Sequence, residues 1–254
     1  MRDWFATPPG RYLLAWETTQ LDLAVANIFG FHALQLGLPE MPGLAANRMP
    51  HRWLANNVPT AGADFITDFS ALPFPANSLD LLLLPHSLEL TGDPHAALRE
   101  VERVLVPEGR VIICGLNPAS LWGLRQHRAR LYQRLRLGQS FLPEVGAHIG
   151  YRRLRDWLGL LGFEVELGRF GCYRPAFSSE QWLQRFKWMD AVGARWWPIL
   201  GAVYFIVAVK RVRGMTLLSP AWKPARVSVS APVSVANRET LRRTSNNEKT
   251  RNSS

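Results

Sequence analysis

The apolar positions of this chain follow two periods, and their alternation outlines an α/β domain. Leu79-Asp80-Leu81-Leu82-Leu83-Leu84 is a short, nearly continuous apolar run stopped by Pro85, the pattern of a strand buried on both faces of a parallel sheet. Asp93-Pro94 then supplies a helix N-cap and a first-turn proline, and Ala97, Val101, Val104 and Leu105 recur at helical spacing on one face. Pro107 and Gly109 end that helix. Arg110 to Cys114 returns as a second buried strand through a right-handed crossover. With one more strand expected just after Ala63, residues 63–114 read β-β-α-β.

Upstream, the pattern predicts a helix over Tyr12 to Ile28, a first strand over Phe31 to Leu36 ending at Gly37, and a short second strand over His51 to Ala55. Downstream it predicts helices over Leu121 to Leu137, Arg152 to Leu161 and Ser179 to Ala194, with a strand over Phe163 to Leu167. The run Trp196 to Val209 is apolar but only 14 residues long, with Pro198 and Gly201 near its start. A membrane span needs roughly 20, so this run reads as a turn and a last core strand.

A length of 254 residues with 47% apolar content supports one full-sized core. The net charge of +10 would suggest nucleic acid were it spread evenly, but residues 210–254 carry ten Lys or Arg against two Glu. That leaves 20 bases against 18 acids, a balance of +2, for residues 1–209. From Gly214 onward Ser, Pro, Asn, Thr and Arg replace any helical period, so 214–254 is expected to be a disordered basic tail behind a domain over 1–213. Cys114 and Cys172 lie 58 positions apart with no Cys-x-x-Cys pair, which supports neither a disulfide framework nor a metal site. Residues 1–10 lack the pattern of a secretory signal, so a cytoplasmic location is expected.

Four motifs follow in a specific order: Asp64-Phe-Ile-Thr-Asp68-Phe69-Ser-Ala-Leu72-Pro-Phe74, Asn77-Ser-Leu-Asp80, His86-Ser-Leu-Glu89, and Leu98-Arg-Glu-Val-Glu-Arg-Val-Leu-Val-Pro-Glu-Gly109. Together they resemble the type 11 family of class I S-adenosylmethionine-dependent methyltransferases, most closely over 64–114. The resemblance implies a Rossmann-like fold, a mostly parallel central sheet with helices on both faces; the basic helical stretch over about 116–150 reads as an insertion in it. The resemblance also implies S-adenosylmethionine as cofactor. In open α/β sheets, ligands bind beyond the carboxyl ends of the strands. By the same resemblance, the loop after the first strand, with Gly37 and Leu38, holds the methionine part. Asn56 or Asn57 stands where the ribose acid is expected, and Asp68 faces adenine with Phe69 or Leu72 packed on the ring. Asp80 matches a structural position.

The family pattern for the first loop is an acid, one residue, then Gly-x-Gly-x-Gly, whereas this chain reads Gln35-Leu-Gly37-Leu-Pro39-Glu-Met41-Pro-Gly43. One glycine of three remains, and Pro39 removes an N–H donor. Two readings follow: methyl transfer to a small or lipid-like acceptor, or a non-catalytic relative that keeps the fold for binding or regulation. In the first, His86 is the candidate base, against a polar wall or loop histidine, and Glu89 either faces the acceptor or is solvated. Asp68 has the alternative of bonding its own turn. The segment 121–137 carries five arginines and no acid among leucines, so it is either a peripheral lipid, RNA or anion contact or a solvated helix lid. The near-neutral core disfavours nucleic acid, and the absence of Gly-x-Gly-x-x-Gly disfavours a nicotinamide dehydrogenase.

Overall fold

The computed structural model describes residues 2–134, 141–142 and 148–211. The expected tail and the last residues of the expected helix over Leu121 to Leu137 lie outside these. Helices α1 (Arg2–Phe5) and α2 (Pro8–Val25) precede strands β1 (His32–Leu36), β2 (His51–Asn56), β3 (Phe65–Ile66) and β4 (Leu79–Pro85). Helices α3 (Ser87–Leu90) and α4 (Pro94–Val104), strand β5 (Leu105–Leu116) and helices α5 (Leu121–Arg134) and α6 (Tyr151–Leu160) follow. The chain continues through β6 (Phe163–Gly171), α7 (Glu180–Arg185), α8 (Trp188–Trp196), a 3-10 turn (Pro198–Leu200) and β7 (Val203–Lys210).

The seven strands form one sheet in the order β3-β2-β1-β4-β5-β7-β6. β7 runs antiparallel to both β5 and β6, and the other pairs are parallel. This is the Rossmann-like α/β architecture expected. Alternation within β4 explains why it sits at the centre. Leu81 and Leu83 join the core under α2, whereas Leu82 and Leu84 join the one under α4 and α6, so both faces are dry. Asp80, on the same strand, accepts the N–H groups of Phe31 and His32 through Oδ2 at 2.8 and 2.9 Å, fixing where β1 begins.

Several boundaries move. α2 starts at Pro8, earlier than the apolar period shows, because Thr7 caps it and two prolines fill its first turn. The chain over Pro107 to Gly109 does not separate helix from strand; the strand begins at Leu105 and passes through them with a register shift against β4. The single helix expected over Ser179 to Ala194 is two, with Phe186 at the break stacked against Phe177 and Trp182. No helix lies between β1 and β2. Turns over 38–50 make that crossover instead, anchored by the buried side chains of Met41, Leu44 and Met49. Buried Asn47 donates to the carbonyls of Val25 and Ile28 at 2.8 and 3.1 Å, satisfying the end of α2. Among the described residues no helix is long and apolar enough to cross a membrane.

Candidate functional site

The carboxyl ends of β1, β2, β3, β4 and β5 lie at one end of the sheet, and the residues just beyond them form the candidate site. Gly37 leaves β1 at φ +76, a conformation that favours glycine, and a Cβ there would stand 3.2 Å from Ser87 Oγ and 3.7 Å from the Phe69 ring. Ser87 Oγ in turn donates to the Leu36 carbonyl. The structure thus brings Gly37 and Phe69 together and adds Ser87, which the sequence did not single out. Leu38 follows at φ +50 and is buried, as are Phe69 and Leu72.

The loop after Gly37 is closed around Gln35. Its Nε2 donates to the carbonyls of Gly37, Leu38 and Met41 at 3.1, 3.1 and 2.8 Å, and its Oε1 accepts the Gly43 N–H at 3.0 Å. Gln35 is buried. One side-chain amide therefore closes this loop from inside, bonding three of its carbonyls and one of its N–H groups.

Asn56 ends β2 beside β3: its carbonyl accepts the Thr67 N–H at 2.9 Å. Its side chain is used locally, with Nδ2 donating to Thr60 Oγ1 at 2.7 Å and Oδ1 accepting the Asn57 N–H at 3.0 Å. Asp68 is exposed, and its Oδ1 accepts both the N–H and the hydroxyl of Ser70, at 2.9 and 2.7 Å. These bonds hold its carboxyl below the usual range. The local turn weighed against a ligand role is therefore present, while Oδ2 makes no hydrogen bond among the described residues. Leu72 closes the same turn: Glu100 Oε2 accepts its N–H at 2.9 Å, and Arg103 donates to the carbonyls of Leu72 and Phe74 at 3.1 and 2.9 Å. Two of the motifs read in sequence thus touch through an α4 clasp.

His86 requires correction as a free base. It is fully buried at φ +55, with Nδ1 3.1 Å from Glu89 Oε2 and Nε2 3.0 and 3.2 Å from the two oxygens of Glu17. Burial alone would lower its pKa, but the two carboxylates overcome that and push it up to about 10. A protonated imidazole bonded at both nitrogens has no lone pair to take a proton. Glu89 is likewise buried rather than solvated, and its Oε1 accepts the Leu116 N–H at 2.6 Å. Glu17 was not singled out, although it occupies the buried stripe of α2 at four-residue spacing from Leu13 and Leu21. Among the described residues no group of three or more His, Cys, Asp or Glu could hold a metal ion.

A family model described as a methyltransferase domain matches residues 45–113. The uncharacterized protein YafS of Escherichia coli strain K12 is 32% identical over 218 residues, 84% of this chain and 82% of that protein. The chain belongs to the same family as that protein, and its methyltransferase-domain match covers residues 45–113. Demethylmenaquinone methyltransferase of Chlamydia pneumoniae is 36% identical over 94 residues, 37% of this chain and 39% of that enzyme. An S-adenosylmethionine-dependent methyltransferase of Archaeoglobus fulgidus shares the fold, with a TM-score of 0.54 at 15% identity over 78% of this chain and 94% of that one.

Proposed function

We propose that this chain is a methyltransferase that uses S-adenosylmethionine to methylate a small or lipid-like acceptor. The observation that carries the reading is the Asp68 turn: an exposed carboxylate with one open oxygen beyond β3, above buried Phe69 and Leu72, inside the stretch that matches the methyltransferase domain. Asp68 would hold the adenine amino group, and Phe69 and Leu72 its ring; Asn56 or Asn57 would meet the ribose, and Gly37 with Leu38 the methionine side. When bound, the cofactor supplies a methyl group on a charged sulfur, so the protein's own task is positioning. The residues present fit the adenosine half. At the methionine half the loop is closed around Gln35, which bonds the carbonyls of Gly37, Leu38 and Met41. The lipid-like acceptor follows the likeness to demethylmenaquinone methyltransferase over 94 residues.

Calorimetric titration of the full chain with S-adenosylmethionine and S-adenosylhomocysteine tests this. Binding is expected, and Asp68→Ala should weaken it by about tenfold or more, the scale of a hydrogen bond to a charged group. A folded protein indifferent to both compounds would defeat the reading. The closed Gln35 loop favours the second reading, a non-catalytic relative, and that result would select it.

A further inference from the structure

We infer that the rim around the start of α5 is a docking surface for an anionic lipid bilayer. β5 ends at Leu116, opposite Val203 of β7, and Asn117 ties the two sides of this rim together. Its Nδ2 donates to the carbonyls of Ile199 and Gly201 at 2.8 and 2.9 Å, which sets the 3-10 turn Pro198–Leu200 against α5. Leu121, Leu124, His127 and Leu200 line one groove there.

The rim is apolar where a soluble surface is normally polar. Trp196 is 70% exposed, Ile199 59%, Leu124 58% and Trp197 51%, with Leu121 and Leu200 also exposed. Arg125, Arg128 and Arg195 are exposed beside them, and α5 contains no acid over its 14 residues. Tryptophan pairs an apolar ring with a polar N–H and settles at the headgroup boundary, leucine and isoleucine reach below it, and arginine meets anionic headgroups. A second copy packed about a two-fold axis would set these arginines near one another. A nucleic acid would engage the arginines and leave Ile199, Leu121 and Leu124 without a partner. Because the rim shares the carboxyl end of the sheet with Gly37, Asp68 and His86, docking would bring the site to the bilayer. That last step rests on the proposed methyl transfer to a lipid-like acceptor; the docking itself does not.

The test is co-sedimentation of the full chain, without cofactor, with vesicles of phosphatidylglycerol in phosphatidylcholine and with phosphatidylcholine alone, beside tryptophan quenching by brominated acyl chains. Preferential binding to the anionic vesicles, with quenching, is expected. Trp196→Ser/Trp197→Ser should lower binding about tenfold or more and lose most of the quenching. Arg125→Glu/Arg128→Glu should lower it by about fivefold or more for each arginine. Circular dichroism checks that both remain folded. Binding unchanged in both variants would assign it to the basic tail or another face and overturn the inference. So would absence of vesicle binding, or a wild-type dimer that the tryptophan variant splits, which would give the patch to a second copy. Vesicle binding without cofactor binding defeats the enzyme reading alone; cofactor binding without vesicle binding defeats the docking alone.

Discussion

At Gln35 a single buried amide holds the loop after β1 closed. It stands where the family pattern has an acid, so Gln35→Glu looks on paper like a restoration. The structure argues the reverse: a carboxylate would face the carbonyls of Gly37, Leu38 and Met41 and could donate to none of them while ionised. We expect Gln35→Glu to destabilise the fold by about 3 kcal/mol, since it buries a charge and leaves acceptors unpaired. Thermal unfolding measures this, and wild-type stability would mean that the loop opens without Gln35. The turn at Gly37 and the local turn at Asp68 were legible because glycine and aspartate favour such corners at strand ends. The locking role of Gln35 was not, because it depends on a loop folding back over eight residues, and the sequence shows only a polar residue in an apolar strand.

Elements were legible where local signals agreed, and α4 is the clearest case. Asp93 Oδ1 accepts the N–H groups of His95 and Ala96 at 2.9 and 3.0 Å, and Ala97, Val101 and Val104 are buried, as capping and spacing foretold. Asp93→Ala should therefore cost about 1 kcal/mol, read as a shift in the denaturation midpoint with unchanged slope. A shift near zero would mean that tertiary packing alone fixes the start of this helix. The connection between β1 and β2 was not legible: the sequence did not show that turns held by Met41, Leu44 and Met49 stand where a helix would. That replacement also removes the helix N-terminus that commonly receives an anionic group after the first strand of such sheets. The α4 clasp on Leu72 and Phe74 was illegible as well, since it joins residues some thirty positions apart, about as far as roughly three elements of average length.

For the whole molecule, the buried Glu17–His86–Glu89 cluster joins the N-terminal helix α2 to the ends of β4 and β5, so its charge state bears on global stability. Two carboxylates flank one imidazolium; burial first, and then these carboxylates, push the Cys114 thiol up, and burial with Glu89 does the same to Tyr204. The pKa of His86 is raised from 6.5 to about 10 on folding. The folded state therefore binds its proton more tightly than the unfolded state does, and the resulting stability is fully present below pH 6.5. It declines above that value and is lost as the pH passes about 10. Replacing His86 by Gln removes the cation and leaves both carboxylates buried without it, which should cost about 3–5 kcal/mol near neutral pH. The gap between wild type and His86→Gln should then narrow as pH rises toward 10, because the wild-type histidine loses its charge as well. Denaturation midpoints of both proteins between pH 6 and about 10 decide the matter, that window being set by the two pKa values. A gap that stays constant would mean that His86 acts through packing against Phe5 and neighbouring groups rather than through its proton.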